Sequence, residues 1–299
     1  MVVNLRYFKQ FIIESLCSRL SVLTNRRNTC YNSDFVLKTT SCVNNRFGGI
    51  ARLYGQKALE NFQRSHVCVV GVGGVGSWVV ESLARSGIGN ITMIDPDEVS
   101  ESNINRQLVA LSNTIGQGKA DVLKERIAQI NPVCQIRIIE DLLKPENVGD
   151  YISSEFDYVI DAIDSARSKA ALIRFCKRNK IRIVCVGGAG GQIDPMQITI
   201  ADLTRTHNDP LLAKTRSILR YDYGFSSNPK RKYQVPCVYS TEQLSYPLPD
   251  GGITQAKPDS ERALRMACDV GMGSATHITA TFGNFAVGLV LAKLAGKAV

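Results

Sequence analysis

Between Val67 and Gly87 the chain reads VCVVGVGGVGSWVVESLARSG: a β-branched run, the spacing Gly71-x-Gly73-x-x-Gly76, then an amphipathic stretch. Glycines so placed allow a tight turn, a close approach of backbone to phosphate and close packing of the following helix, whose N-terminus adds partial positive charge. Asp95 follows about 20 residues on, at the end of the next β-branched run, where a carboxylate can take ribose hydroxyls. These features alone suit a redox dinucleotide as well as any other nucleotide.

The next residues suit hydride transfer poorly. IDPDEVSESNINRQ supplies Asp95, Asp97, Asn103, Asn105, Arg106 and Gln107, and Lys119 opens the helical stretch beyond it. A guanidinium can clamp a phosphate and an ammonium can reach the same anion, a pairing that points to phosphoryl or nucleotidyl chemistry. Taken singly, each is equally a solvated surface charge. In YVIDAID, Asp161 and Asp164 place carboxylates at another strand tip, where Mg²⁺ can bind; capping of the next helix is the other role open to them. Turning carbonyls in GGAGGQ, residues 187–192, could ligate a monovalent cation.

Strands and helices alternate from Arg46 onward, which predicts an α/β, Rossmann-like, doubly wound and mostly parallel sheet with a C-terminal extension. HVCVVGV, NITMIDPDEV, CQIRIIE, YVIDAID, IRIVCVGG and MQITIADL read as strands. SWVVESLARSG, KADVLKERIAQINP, SKAALIRFCKRNK and a stretch about DPLLAKTRSILRYDY read as helices. The expected organisation is a leader at 1–45, a Rossmann-like nucleotide-binding core at 46–191, and a substrate-binding part of the same domain at 192–299. That last part carries the basic loop GFSSNPKRKYQVPC; from Arg205 to Tyr233 there are seven Lys/Arg against two acids, which makes it the candidate polyanion-facing surface.

The chain has 299 residues, is 44% hydrophobic and carries a formal charge of +9, enough to bury a full core and compatible with a polyanionic partner. Its nine cysteines contain no C-x-x-C pair, so a paired Cys₄ zinc site is not expected and buried thiols in a reducing compartment are. The three histidines, His66, His207 and His277, each lack a neighbouring metal ligand in sequence. Residues 1–45 are rich in Ser, Thr and Asn, with six Lys/Arg and two acids, a composition that fits a transit peptide or a disordered leader. The location expected is cytoplasmic, or mitochondrial if the leader is a transit peptide. The apolar run ITATFGNFAVGLVLAKLAG is read as a terminal core helix; its length also makes membrane contact conceivable.

In order, Gly71-x-Gly73-Gly74-Val75-Gly76-Ser77, Asp95-x-Asp97, Asn103-Ile104-Asn105-Arg106-Gln107, Lys119 and Asp164 resemble the adenylation fold of the ubiquitin-activating-enzyme-like superfamily, which includes the ThiF and MoeB proteins. The resemblance covers about Arg46 to the C-terminus. It implies that ATP and Mg²⁺ activate a substrate carboxylate by adenylation: Asp95 holding the ribose, Asn103 and Arg106 the phosphates, Lys119 the α-phosphate region and Asp164 the metal. It also implies a homodimer in which an arginine from NRFGGIARLYG, Arg46 or Arg52, enters the partner's ATP site.

RFGGIARLYG, IGQGKADVLKERIAQINP, VGGAGGQIDP and VPCVYSTE further resemble the tRNA threonylcarbamoyladenosine dehydratase branch. That branch adenylates the threonyl carboxylate of the modified nucleoside in tRNA and closes it into a ring. Cys237 lies at the position of the branch's catalytic cysteine, where a thiolate could accept the acyl group as a thioester; a small buried thiol is the structural alternative. A cysteine-desulfurase sulfur-acceptor system is a further partner that the resemblance brings in. Adenylation of the Gly-Gly tail of a sulfur-carrier or ubiquitin-like protein is the alternative enzyme reading, and a non-catalytic RNA-binding module on a decayed nucleotide fold is the third.

Overall fold

The computed structural model describes residues 46–228, 230–248, 250–256 and 272–297. The leader 1–45 lies outside them, as do Cys17, Cys30, Cys42 and Cys268. The chain divides into a unit Met1–Gly48, of which only the helical residues 46–48 are described, and a unit Gly49–Val299 that contains everything below.

Seven strands form one sheet: β1 (His66–Val70), β2 (Asn90–Ile94), β3 (Gln135–Ile139), β4 (Tyr158–Asp161), β5 (Ile183–Val186), β6 (Ile198–Asp202) and β7 (Pro236–Ser240), in the order β3-β2-β1-β4-β5-β7-β6. All neighbours are parallel except β6 and β7. The strand order reverses between β1 and β4, and a crevice opens there at the carboxyl ends of the strands. The chain after residue 192 thus adds two strands to the same sheet. PCVYS was not expected as a strand. It is a short apolar run without alternation, because both of its faces are covered, and its proline sits at the first strand position, where no ladder hydrogen bond is lost.

Besides the helical residues 46–54 and a single turn at Val148–Tyr151, the helices are α1 (Gln56–Arg64), α2 (Gly76–Arg85), α3 (Lys119–Ile130), α4 (Ala166–Arg178), α5 (Pro210–Tyr221) and α6 (Thr276–Leu294). One face of the sheet buries Val67, Val69, Met93, Ile160 and Val238 in a cluster that includes Val79, Leu83, Leu123, Phe282 and Val290 from α2, α3 and α6. The other face buries Cys68, Val70, Val159, Cys185 and Cys237 with Leu172 and Ile173 of α4 and Leu212 of α5. Neighbouring residues on a strand therefore enter opposite layers, as the pleat requires.

Helix α6 is long and apolar enough to cross a membrane by composition, yet Ile278, Phe282, Ala286 and Val290 are completely buried in the core. At Gly283 an added methyl carbon would stand 3.1 Å from the Val75 carbonyl oxygen and 3.2 Å from Trp78 Cβ. The missing side chain is what lets α6 lie close against α2, and burial accounts for its apolarity.

Glu81 ties together the two helices that begin at the glycine loop and at Lys119. Arg126 Nε and Nη2 donate to its two carboxylate oxygens at 2.7 and 2.9 Å, and Arg85 Nε donates at 2.7 Å. Burial alone would raise the Glu81 pKa; the hydrogen bonds from Arg126 and Arg85 outweigh it and hold the carboxyl below its ordinary value. Glu81→Gln is therefore expected to lower stability at neutral pH by about 1–2 kcal/mol. A depressed folded-state pKa gives stability that is complete above the unfolded value of about 4.3 and is lost as pH falls through the folded value. Urea midpoints of wild type and variant should differ at neutral pH and converge in acid.

Candidate functional site

At the end of β1 the chain turns through Gly71, whose φ is +83° and whose N–H donates to the Ile94 carbonyl of β2 at 2.9 Å. An added methyl carbon at Gly71 would be 3.0 Å from the Ala162 carbonyl oxygen after β4, and one at Gly76 would be 1.8 Å from the Gly71 oxygen. Gly76 is thus buried behind the loop, and its smallness lets α2 start directly over the crevice between β1 and β4. No side chain caps α2; the N–H groups of Ser77, Trp78 and Val79 turn back onto the carbonyls of Gly73 and Val75, so it is the glycine turn just before them, with the helix's partial positive charge, that faces an anion.

Asp95, 8% exposed, braces this loop. Its Oδ2 accepts from Val72 N–H at 2.7 Å and its Oδ1 from Asp97 N–H at 2.9 Å. A carboxylate has further lone pairs beyond these two, so ribose hydroxyls remain within its capacity. Asn103 Oδ1 accepts from Ser100 N–H at 3.1 Å, which commits the acceptor end of the amide and leaves the donor end.

The peptide that carries Arg106 is held from two sides. Its carbonyl accepts from Trp78 Nε1 of α2 and from the Thr279 hydroxyl of α6, each at 3.1 Å. The guanidinium Nη1 donates to Ser102 O at 2.8 Å and Asn105 Oδ1 at 3.0 Å, and among the described residues no carboxylate pairs with it. Lys119 is 6% exposed; its Nζ lies 2.7 Å from Asp97 Oδ2, and its N–H donates to Asp97 O at 2.9 Å. Both cations line one cavity of about 810 Å³, together with Gly71, Gly73 and Gly74. Asp95, Asp97, Asn103, Gln107 and Asp164 line the same cavity.

The two aspartates of YVIDAID separate into different roles. Asp161 is completely buried and pairs with the equally buried Lys169 of α4 at 2.8 Å; its Oδ1 also accepts from Ile163 N–H at 3.1 Å. Burial disfavours the Lys169 charge, but the Asp161 carboxylate more than compensates and raises its pKa above the ordinary lysine value. Asp161 is therefore unavailable to a metal. Asp164 is exposed at the rim, and the cap of α4 is Ser165 instead, whose hydroxyl accepts from Ser168 N–H at 3.4 Å. Among the described residues no three His, Cys, Asp or Glu could hold a metal by themselves, so an ion at Asp164 would share nucleotide phosphates and water, the usual condition of Mg²⁺.

The far wall is Gly187–Gly190 with Gln192. Gly188 O accepts from Gln192 Nε2 at 3.0 Å and Gly191 O from Ser245 N–H at 2.8 Å, so two of the carbonyls considered for a monovalent cation are already engaged. Behind the wall, Asp209 caps α5 and receives Gly188 N–H at 3.0 Å; burial raises its carboxyl pKa despite those bonds. Two buried acceptors in the lining, Gln107 Oε1 and Gln192 Oε1, have no hydrogen-bond partner, which fits a site shaped for a ligand.

Of the two roles open to Cys237, catalytic thiol or small buried thiol, its placement favours the second. It is 0% exposed on β7, between Cys185 of β5 and Ala201 of β6, and its Sγ contacts Val235 O at 3.6 Å. Its side chain belongs to the buried cluster with α4 and α5 and does not line the cavity. An acyl group could reach it only if the sheet opened, so the structure makes Cys237 a core residue. Arg52 is exposed and does not line this cavity, and Arg46 falls in the other unit. His66 meets Thr92 Oγ1 and His277 meets the Ile193 carbonyl.

Several contributors were not legible in sequence. Thr279 supports Arg106 from 173 positions away, Asp209 acts through a backbone N–H, and nothing in the helical stretch SKAALIRFCKRNK sets Lys169 apart as the buried partner of Asp161. Gln192 could have been found, since it ends a glycine-rich segment that follows a strand.

Residues 48–298 match the ThiF family. The chain is 55% identical over 253 residues to the tRNA threonylcarbamoyladenosine dehydratase of Haemophilus influenzae, across 84% of this chain and 94% of that protein. Among solved structures it is similar to the Escherichia coli tRNA N6-threonylcarbamoyladenosine dehydratase in complex with ATP, with a TM-score of 0.75 and 51% identity over 85% of this chain and 95% of that one. The complex of the same enzyme with AMP gives a TM-score of 0.75 and 48% identity over 90% and 98%.

The Asp161–Lys169 pair lies directly beneath the strand tip that presents Asp164. Lys169→Met leaves a buried carboxylate without its partner and should cost about 3–5 kcal/mol. The double variant Lys169→Met/Asp161→Leu should recover much of that loss, as read by urea denaturation.

Proposed function

The chain belongs to the ThiF family, and on that premise we propose that it is an ATP-dependent enzyme that dehydrates threonylcarbamoyladenosine in tRNA to its cyclic form. The observation that carries this reading is a glycine-loop cavity holding Arg106, unneutralised by any described carboxylate, and Lys119, in a chain 55% identical to a dehydratase of that name.

The loop N–H groups and the uncapped start of α2 receive the ATP phosphates, while Asp95 braces the loop and accepts from the ribose. Arg106 and Asn103 hold phosphate oxygens from one side. Lys119 exchanges its contact with Asp97 for the α-phosphate. Asp164, with the phosphates, would hold Mg²⁺, which would supply charge neutralisation to the phosphates. The threonyl carboxylate attacks the α-phosphorus and the bond to pyrophosphate breaks. The two cations stabilise the negative charge that gathers on the phosphoryl oxygens; Arg106 is already held by the fold, and Lys119 has only to leave Asp97. A group within the same nucleoside then attacks the acyl carbon and AMP departs. One oxygen of the carboxylate leaves with AMP, so the nucleoside loses the elements of water. No protein nucleophile is needed, consistent with a buried Cys237.

The wider reading includes a homodimer in which Arg46 or Arg52 reaches the partner's ATP site, and cooperation with a cysteine-desulfurase sulfur-acceptor system. A monovalent cation near Gln192 would satisfy its orphaned oxygen. The enzyme is cytoplasmic in this reading, or mitochondrial if residues 1–45 act as a transit peptide; a fusion of that leader to a fluorescent protein separates the two.

Purified protein with ATP, Mg²⁺ and modified tRNA should release AMP and pyrophosphate and lower the nucleoside mass by one water; an unchanged mass overturns the proposal. Arg106→Ala and Lys119→Ala should each slow turnover by about a hundredfold or more. Cys237→Ala should turn over within about threefold of wild type while losing about 1 kcal/mol of stability; loss of ring closure with adenylation intact would restore the thioester role.

A further inference from the structure

A second cavity, of about 740 Å³, opens at the opposite end of the sheet. It is bordered by Tyr158 and Ile183 at the starts of β4 and β5, by Asp202 at the end of β6, and by Pro236 at the start of β7. Four residues of β5, at about 3.3 Å each, separate it from the glycine-lined cavity by about 13 Å of strand.

Its charge is one-sided. Lys177 comes from the last turn of α4, Lys180 and Arg182 from the α4–β5 connection, and Lys232 from the basic loop before β7. None of these four forms an ion pair among the described residues. The one acid in the lining, Asp202, is spent on the backbone: its oxygens accept from the N–H groups of Thr204, Tyr233 and Val235 at 3.0, 3.0 and 3.1 Å. A concave, low-dielectric surface lined by cations of one sign focuses its field on an incoming anion.

Backbone conformation gives a second reason to regard the groove as built for a ligand. Three non-glycine residues adopt positive φ among those described, and two of them, Lys180 at +58° and Gln234 at +57°, line this cavity. Lys180 follows the C-cap Asn179 of α4, the position that glycine normally fills because an L side chain costs about 1–2 kcal/mol there. The chain keeps a lysine where a glycine would relax it.

The geometry points to an RNA phosphodiester groove, in which Lys177, Lys180 and Arg182 join Lys232 to hold the substrate tRNA at a point remote from the nucleoside in the ATP cavity. This inference rests on the tRNA reading above and deepens it: the basic loop recognised in the sequence is one lip of the groove, and CKRNKIR, residues 176–182, is the other. Only a polyanion longer than about 13 Å of strand can engage both cavities, and tRNA is such a molecule. The contacts lie on the phosphate backbone, so they add affinity and position without reading sequence.

The test compares the full-length protein with Lys180→Gly/Arg182→Ala, measuring anisotropy of fluorescently labelled modified tRNA over a range of KCl concentrations without ATP. The variant should bind about three- to tenfold more weakly, with a salt slope reduced by about one to two, while ATP affinity stays as in wild type. Lys180→Gly alone should leave the melting temperature equal or higher, which excludes misfolding as the cause. If wild type dehydrates tRNA and the double variant binds with unchanged affinity and slope, the groove assignment is wrong while the function stands. If wild type neither binds nor dehydrates tRNA, the functional reading falls and the groove with it. Inorganic phosphate should weaken wild-type binding no more than KCl of equal ionic strength; selective competition that the variant loses would mark a small-anion site and overturn the RNA assignment.

Discussion

At Gly76 the chain passes so close to its own loop that a methyl carbon would stand 1.8 Å from the Gly71 carbonyl oxygen, and this contact sets the direction in which α2 leaves the sheet. A helix pressed there starts over the crevice between β1 and β4 with no side-chain cap, and because Ser77, Trp78 and Val79 donate back to Gly73 and Val75, the glycine turn itself is the end that an anion can meet. The other parts of the site stand in relation to that end. Asp95 spans the loop by accepting from Val72 on one side and Asp97 on the other, and the two cations of the cavity, Arg106 and Lys119, lie on the segments that follow.

Those cations are held at two different scales. Lys119 is fixed locally, through a side-chain and a backbone contact to Asp97. Arg106 is fixed by the tertiary structure, because its carbonyl is shared between Trp78 of α2 and Thr279 of α6. The last helix of the chain is therefore a core element that also positions the site, and its lack of a side chain at Gly283 permits the close crossing with α2. Below the strand tips, the buried Asp161–Lys169 pair keeps one carboxylate out of the cavity and leaves Asp164 at its rim. A preorganised cation pair facing an uncapped helix end is an arrangement suited to the charge that develops in nucleotidyl transfer.

Sequence alone carried the site to the extent that it is built from local spacing. The glycine turn, Asp95 at a strand end, Arg106 and Lys119 all line one cavity, because each is fixed relative to the end of a strand or the start of a helix that hydrophobic pattern makes visible. What was not visible depends on the third dimension. Cys237 stands in a segment resembling a catalytic one, but burial by β5, β6 and the α4–α5 layer decides its chemistry. Asp161 and Asp164 look alike in YVIDAID until Lys169 takes one of them. PCVYS has no alternation to mark it as a strand, and nothing in sequence places the cations of CKRNKIR beside Lys232, which the start of β7 brings to the same cavity.

The central claim is that this cavity activates a carboxylate on tRNA by joining it to the α-phosphorus of ATP. The most direct measurement follows heavy oxygen placed in the threonyl carboxylate of the modified nucleoside. Mass spectrometry after turnover should find the label in AMP, one atom for each nucleoside dehydrated. Label recovered in pyrophosphate or inorganic phosphate, or AMP without label alongside cyclised product, would contradict the account.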